Sequence, residues 1–145
     1  MKRVLVLCTG NSCRSQMAEG YLEFYVQGKA EVFSAGLENH GVNPFALRAM
    51  AEDNIDISSH YAKTVDAFRN EHFDYLVTVC DEASQERFRG ISYTHRLHFS
   101  IPDPAAFTGS EDEIMEEFRR VRELVKKYML KFIGQALLEN AVPAV

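Results

Sequence analysis

The sequence predicts an α/β fold: a single domain with a mainly parallel sheet flanked by helices. Three observations predict it. Short β-branched apolar runs alternate with stretches whose apolar residues recur every three or four positions. The first run ends in a small, polar segment that leads straight into the first helical stretch. The 145 residues, 46% of them hydrophobic, make one domain with enough apolar surface for a core without disulfides or a metal.

Each element has its own signal. Residues 2–7 (KRVLVL) form a short apolar run, read as a buried strand. Residues 15–26 carry Met17, Ala18, Tyr21, Leu22 and Tyr25 at helical spacing, predicting a helix with one apolar face. Residues 30–34 read as a second strand, ended by Ala35 and Gly36. Residues 44–52 read as a helix, with Pro44 in its first turn and Asn43 as its cap. Residues 73–80 (FDYLVTVC) are the clearest strand, 81–89 are expected to be helical, and 96–99 make a weaker strand. In the last helix Ile114, Phe118, Val121, Val125, Tyr128 and Phe132 define one stripe. Ser110 and Glu113 give it a capping-box start.

Composition excludes several classes of function. The net charge is −5, from 16 basic and 21 acidic residues. That balance disfavours non-specific nucleic-acid binding, which depends on neutralising phosphates. No apolar run approaches the roughly 18–20 residues of a membrane span. Met1, Lys2 and Arg3 precede only five apolar residues, short of the roughly 7–15 of a signal-peptide core. A cytoplasmic monomer is expected, with Cys8, Cys13 and Cys80 as reduced thiols. None of the five His lies at a metal-ligand spacing, and no catalytic metal is expected.

The segment richest in chemistry is Cys8-Thr9-Gly10-Asn11-Ser12-Cys13-Arg14-Ser15. A short loop before a helix aims backbone N–H groups at one point, and with the helix dipole they form an anion site. Thr9, Gly10, Asn11, Ser12, Cys13 and Arg14 are the expected oxyanion ligands. Gly10 permits a positive φ, and Asn11 tolerates one. Arg14 adds a planar fork of donors suited to two oxygens of a tetrahedral anion. The same field favours a thiolate at Cys8, to which Ser15 could donate a hydrogen bond. Asp103, between Pro102 and Pro104, supplies a carboxyl group that could protonate a departing oxygen. As an isolated Asp-Pro pair it would also suit a turn.

The string LCTGNSCRSQMAEG, residues 7–20, resembles the phosphate-binding loop and first helix of the low-molecular-weight protein tyrosine phosphatase superfamily. It is most like that superfamily's thioredoxin-coupled arsenate reductases. SAGLENHGVNP at 34–44, IDIS at 55–58, DYLVTVC at 74–80 and DPAAFTGSEDE at 103–113 fit in order. The resemblance implies a four-stranded parallel sheet, with residues 1–139 as the domain and 140–145 as a short C-terminal tail. It implies Cys8 as nucleophile, Arg14 as oxyanion clamp, Ser15 and Asn11 as loop supports, and Asp103 as general acid.

Two activities fit this resemblance. Arsenate reduction is favoured by Gln16, which stands where the phosphatases usually have proline. It is also favoured by Ala105 and Ala106, where many phosphatases place aromatic residues. Cys80 matches the reductases' second redox cysteine, and a second thiol can attack the sulfur of a Cys8–arsenic adduct to release arsenite. The reductases' third redox cysteine is absent; that position is Arg87, and no cysteine follows Cys80. Cys80 could therefore pair with Cys8, or an external thiol (thioredoxin, or glutathione with glutaredoxin) could finish the cycle. The alternative is phosphomonoester hydrolysis through a phosphocysteine, for which Cys13 could protect Cys8 as a reversible disulfide. Lys63 stands where many reductases have an aspartate near a potassium ion, and is expected to supply that positive charge itself. The expected partners are arsenate, phosphate or a phosphomonoester, and a transient thioredoxin-like protein.

Overall fold

The computed structural model describes residues 1–81 and 90–137. Four parallel strands form the sheet: β1 (Lys2–Cys8), β2 (Ala30–Gly36), β3 (His72–Thr78) and β4 (Ser92–His98), in spatial order β2-β1-β3-β4. Three helices flank it: α1 (Arg14–Val26), α2 (Pro44–Glu52) and α3 (Glu111–Phe132). The predicted fold class and strand number are both present. Residues 82–89 of the helix expected over 81–89, and the tail from 140, lie outside the described residues.

The strand order explains the hydrophobic pattern. β1 is paired on both edges and covered on both faces, so Val4 to Leu7 are fully buried and read as one continuous apolar run. β4 is an edge strand, mostly exposed and carrying Ser92, Thr94 and Arg96. Its polarity hid it: the strand begins at Ser92, four residues before the apolar signal. The chain after β1 goes to one side of the sheet for β2 and later returns to the other side for β3. The loop that follows β1 therefore opens at the point where the strand order reverses.

The helices correct the sequence reading in detail. α1 does not bury one face only; nearly all of its residues from Arg14 to Leu22 are buried. Gly20 permits this, since a Cβ there would meet Ile57 Cγ2 at 2.9 Å and Met50 Cε at 3.0 Å. On α3 the buried stripe is Met115, Phe118, Val121, Val125, Met129 and Phe132. Ile114 and Tyr128, assigned to the stripe from sequence, are only partly buried, and two flexible methionines fill the core instead. The expected caps are present. Asn43 accepts from the Phe45 N–H at 2.8 Å, and Ser110 with Glu113 forms the reciprocal capping box.

Candidate active site

The loop between β1 and α1 is held from outside by a strap, residues 37–43, that follows β2. The N–H groups of Glu38, His40 and Asn43 donate to the carbonyls of Thr9, Gly10 and Ser12 at 2.8, 3.0 and 3.1 Å. A trans peptide points its N–H opposite its carbonyl. The N–H groups of Gly10, Asn11 and Cys13 are thereby turned away from the strap. No side chain caps the N-terminus of α1, because Cys13 occupies the cap position. The donors of the first helical turn are left for a ligand.

Close approach of strap and loop demands glycine at two positions. A Cβ on Gly36 would lie 2.4 Å from the Glu38 carbonyl oxygen, and one on Gly10 would lie 2.3 Å from His40 Nδ1. Of the two loop residues able to take a positive φ, Asn11 is the one that does, at 50°. Gly10 is needed for space rather than for its dihedral range.

Asn11 is fully buried, and its side chain turns away from the cavity to brace the loop. Its Nδ2 donates to Ser15 Oγ at 2.8 Å and to Ser34 Oγ at 2.9 Å. Its Oδ1 accepts from the Lys63 N–H and from Gln16 Nε2, both at 3.0 Å. Ser34 in turn donates to the Glu19 carboxylate. Cys8 Sγ and Ser15 Oγ are 2.8 Å apart. Since Ser15 Oγ already accepts from Asn11, its own proton is free to point at the sulfur. The expected Ser15–Cys8 contact is therefore present, with Ser15 as its donor when Cys8 is a thiolate, and a relay that starts at Glu19 braces the hydroxyl.

Above the loop lies a cavity of about 350 Å³, lined by Cys8, Thr9, Gly10, Ser12, Cys13, Arg14, His40, Asn43, Asp103 and Ala105. Of the predicted oxyanion ligands, all but Asn11 line it. Arg14 is buried; its Nη1 donates to the Ile101 carbonyl at 3.1 Å and its Nη2 lies 3.8 Å from Asp103 Oδ2. Asp103 Oδ1 accepts from the Ala105 N–H at 3.0 Å. One Asp103 oxygen forms the turn and the other faces Arg14 at the mouth of the loop. Sequence reasoning missed His40 and Asn43 as cavity residues. The signal was their place in the segment after β2, legible only once that segment is known to cross the loop.

The cysteines differ in surroundings. All three are buried thiols. Burial pushes the Cys13 thiol up to about 12, with its hydrogen bond to Ser12 opposing. Cys80 is 1% exposed and stands just beyond β3. Leu7 pairs with Thr78, so Cys80 follows one step past the register of Cys8.

Behind the loop, Gln16 Nε2 also donates to the carbonyls of Asn11 and Tyr61, at 3.1 and 3.2 Å, and its Oε1 lies 2.9 Å from His60 Nδ1. His60 Nε2 faces Glu23 at 3.6 Å and Glu19 at 4.0 Å. The Glu23 hydrogen bond raises the His60 pKa, while burial raises that of Glu19. Ligand atoms of Glu19, Glu23 and His60 lie within 4.8 Å of one another. No sequence spacing announced this group, because His60 arrives from a separate loop. Lys63 is half-buried; its Nζ donates to the Tyr61 carbonyl at 3.2 Å. It is close enough to Glu19 and Glu23 for their charges to act on it.

A parallel sheet whose first strand enters an anion loop, with a cysteine at the loop's start and an arginine at its end, defines a class of cysteine-based oxyanion proteins. The chain belongs to the low molecular weight phosphotyrosine protein phosphatase family, whose description matches residues 3–142. It is 43% identical over 131 residues to an arsenate reductase of Halalkalibacterium halodurans, covering 90% of this chain and 94% of that protein. An arsenate reductase of Bacillus subtilis is 40% identical over the same share of each. Among solved structures, an arsenate reductase in the phosphate binding state superposes with a TM-score of 0.78 at 31% identity, covering 93% of this chain and 98% of that one. No helix among the described residues is long and apolar enough to cross a membrane.

Proposed function

We propose that this chain is a thiol-dependent arsenate reductase, with residues 1–139 as its catalytic domain. Cys8 attacks arsenic in an arsenate held by the loop amides and Arg14, and Asp103 protonates the departing oxygen as water leaves. A thiolate then attacks Cys8 Sγ; the sulfur–arsenic bond breaks with its electron pair on arsenic, and arsenite departs. The observation that carries this reading is the small cavity in which Cys8, Arg14 and Asp103 face one anion-binding loop behind an alanine rim. Cys80 stands one residue past the register of Cys8 on the neighbouring strand and does not line that cavity. The rim agrees with it. Ala105 closes the cavity where a phosphotyrosine ring would need a larger apolar wall. Relatives named arsenate reductase at about 40% identity add support. Three buried thiols suit a reducing compartment such as the cytoplasm, and a thioredoxin- or glutathione-linked donor would regenerate them.

Phosphomonoester hydrolysis is the second reading. It is favoured by Arg87 in place of a third redox cysteine and by the family description itself. One experiment separates them. The reduced protein is given arsenate or an aryl phosphate, with and without thiol, followed by peptide mapping after one turnover. Arsenite with a Cys8–Cys80 disulfide identifies Cys80 as the resolving thiol. Arsenite without that disulfide assigns resolution to an external thiol. Aryl-phosphate hydrolysis that survives Cys80→Ser, with no arsenite formed, overturns the reductase reading.

A further inference from the structure

The strap over the loop carries a carboxylate–imidazole pair at the cavity rim. His40 Nε2 lies 3.0 Å from Glu38 Oε1, with both side chains about half exposed. The His40 N–H is fixed on the Gly10 carbonyl, and His40 shares the cavity wall with Cys8, Asp103 and Ala105. In a neutral ring whose Nε2 is bonded to a carboxylate, Nε2 carries the proton and Nδ1 keeps its lone pair. Nδ1 is the atom that lies over Gly10, where any Cβ would come within 2.3 Å. The strap thus sets a proton acceptor over Gly10, in a residue that lines the cavity, in the arrangement by which a carboxylate orients a base.

A role is open for such a base. In the reaction proposed above, Cys8 is the nucleophile and Asp103 the acid, and neither activates the thiol that resolves the adduct. Each reduction of As(V) to As(III) leaves two sulfurs oxidised, so repeated turnover draws its reducing equivalents from outside the chain. An ordinary thiol has a pKa of about 8.5 and is mostly protonated at neutral pH, whereas the thiolate is the nucleophile. The cavity has room for it. A tetrahedral oxyanion occupies roughly the space of two or three waters, about 60–90 Å³, in a cavity of about 350 Å³.

We propose that His40, oriented by Glu38, is the general base that deprotonates a small-molecule thiol entering the cavity to resolve the Cys8–arsenic adduct. This rests on the reductase reading. The thiol proton passes to Nδ1, and its sulfur bonds to Cys8 Sγ. The sulfur–arsenic bond breaks with its electron pair on arsenic, which goes from As(V) to As(III) and leaves as arsenite. The two sulfurs, oxidised by two electrons, remain as a mixed disulfide on Cys8. A second molecule of the same thiol exchanges with it and returns Cys8 to the thiol.

The test is single-turnover arsenite release with two probes, 2-mercaptoethanol and the more acidic trifluoroethanethiol. With 2-mercaptoethanol, His40→Asn slows release by about 10²-fold and Glu38→Gln by about tenfold; with the acidic thiol, which needs no base, each loss is under about threefold. Added imidazole restores the rate of His40→Gly with 2-mercaptoethanol. Unfolding midpoints of each variant show whether the strap has been lost. Equal losses with both thiols make His40 a loop support and overturn the assignment, as does the absence of any loss. A wild-type protein that releases arsenite only with a dithiol protein such as thioredoxin, or through a Cys8–Cys80 disulfide, and not with either small thiol, overturns this proposal alone; one that releases none under any of these conditions overturns the reductase reading as well.

Discussion

Arg14 and Asp103 face each other across the mouth of the loop, Nη2 to Oδ2, at 3.8 Å. The separation exceeds a hydrogen bond, so the carboxyl group is near the oxyanion clamp without being tied to it. A group so placed can reach an oxygen leaving from the anion that Arg14 holds. Asp103→Asn is expected to slow turnover by about 10²–10⁴-fold for a poor leaving group and much less for a good one. Two aryl phosphates of different leaving-group acidity, assayed with wild type and variant, provide the measurement. Equal losses on both remove Asp103 from the acid role.

Cys8 and Cys13 stand at the two ends of one loop yet should differ in reactivity. Only thiolates alkylate quickly, and burial pushes the Cys13 thiol up to about 12. Between pH 7 and 9 Cys13 therefore stays a thiol, and iodoacetamide is expected to label Cys8 first in the native protein. Bound phosphate should slow that labelling by covering the cavity. Mass spectrometry of peptides at increasing times checks both statements; early label on Cys13 contradicts them.

The relay behind Cys8 predicts a stability effect at a residue that touches no substrate. Ser34 donates to Glu19 and accepts from Asn11 Nδ2. Ser34→Ala leaves a buried carboxylate short of a donor and a buried amide short of an acceptor. The expected cost is about 1–3 kcal/mol. The variant should also slow Cys8 alkylation, because Asn11 loses one of the anchors that fix the amide bonded to Ser15. Urea unfolding and alkylation rate measure the two parts separately.

Helices α2 and α3 are joined by Glu52, which meets Arg119 and Arg122 at 2.9 and 3.1 Å. The Arg119 hydrogen bond is the main cause of the Glu52 pKa falling to about 2. A carboxylate depressed on folding stabilises above its ordinary value near 4.5, and that contribution is lost as pH falls toward 2. The Glu52 side chain is 39% exposed, so screening limits the contribution to about 0.5–1 kcal/mol. Buried Glu19 acts in the opposite sense: its pKa is raised, so it costs stability as pH rises above the ordinary carboxylate value. Unfolding of Glu52→Gln should differ from wild type most at pH 7, by less at pH 3, and converge with it only as pH falls to about 2.

How much was legible in the sequence depended on what each residue's role rests on. The strand β1, the loop from Cys8 to Ser15 and the caps at Asn43 and Ser110 are local features. Burial on both faces makes a continuous apolar run, and a cap needs only a partner two or three residues away. These were readable because the cause and the signal lie in the same short segment. The edge strand β4 was read short, because an exposed edge selects polar residues and erases its own apolar signal. The choice of Met115 and Met129 over Ile114 and Tyr128 on α3 was settled by which side of the helix meets α1 and α2. The positive φ is at Asn11, and Gly10 is needed instead for the close approach of His40, from a strap some thirty residues away. The sequence by itself determined the class of fold and the chemistry of the loop; only the tertiary structure decided what surrounds that loop. It brought Glu19, Ser34, Lys63 and His40 to the loop through contacts between distant segments, for which local spacing carries no signal.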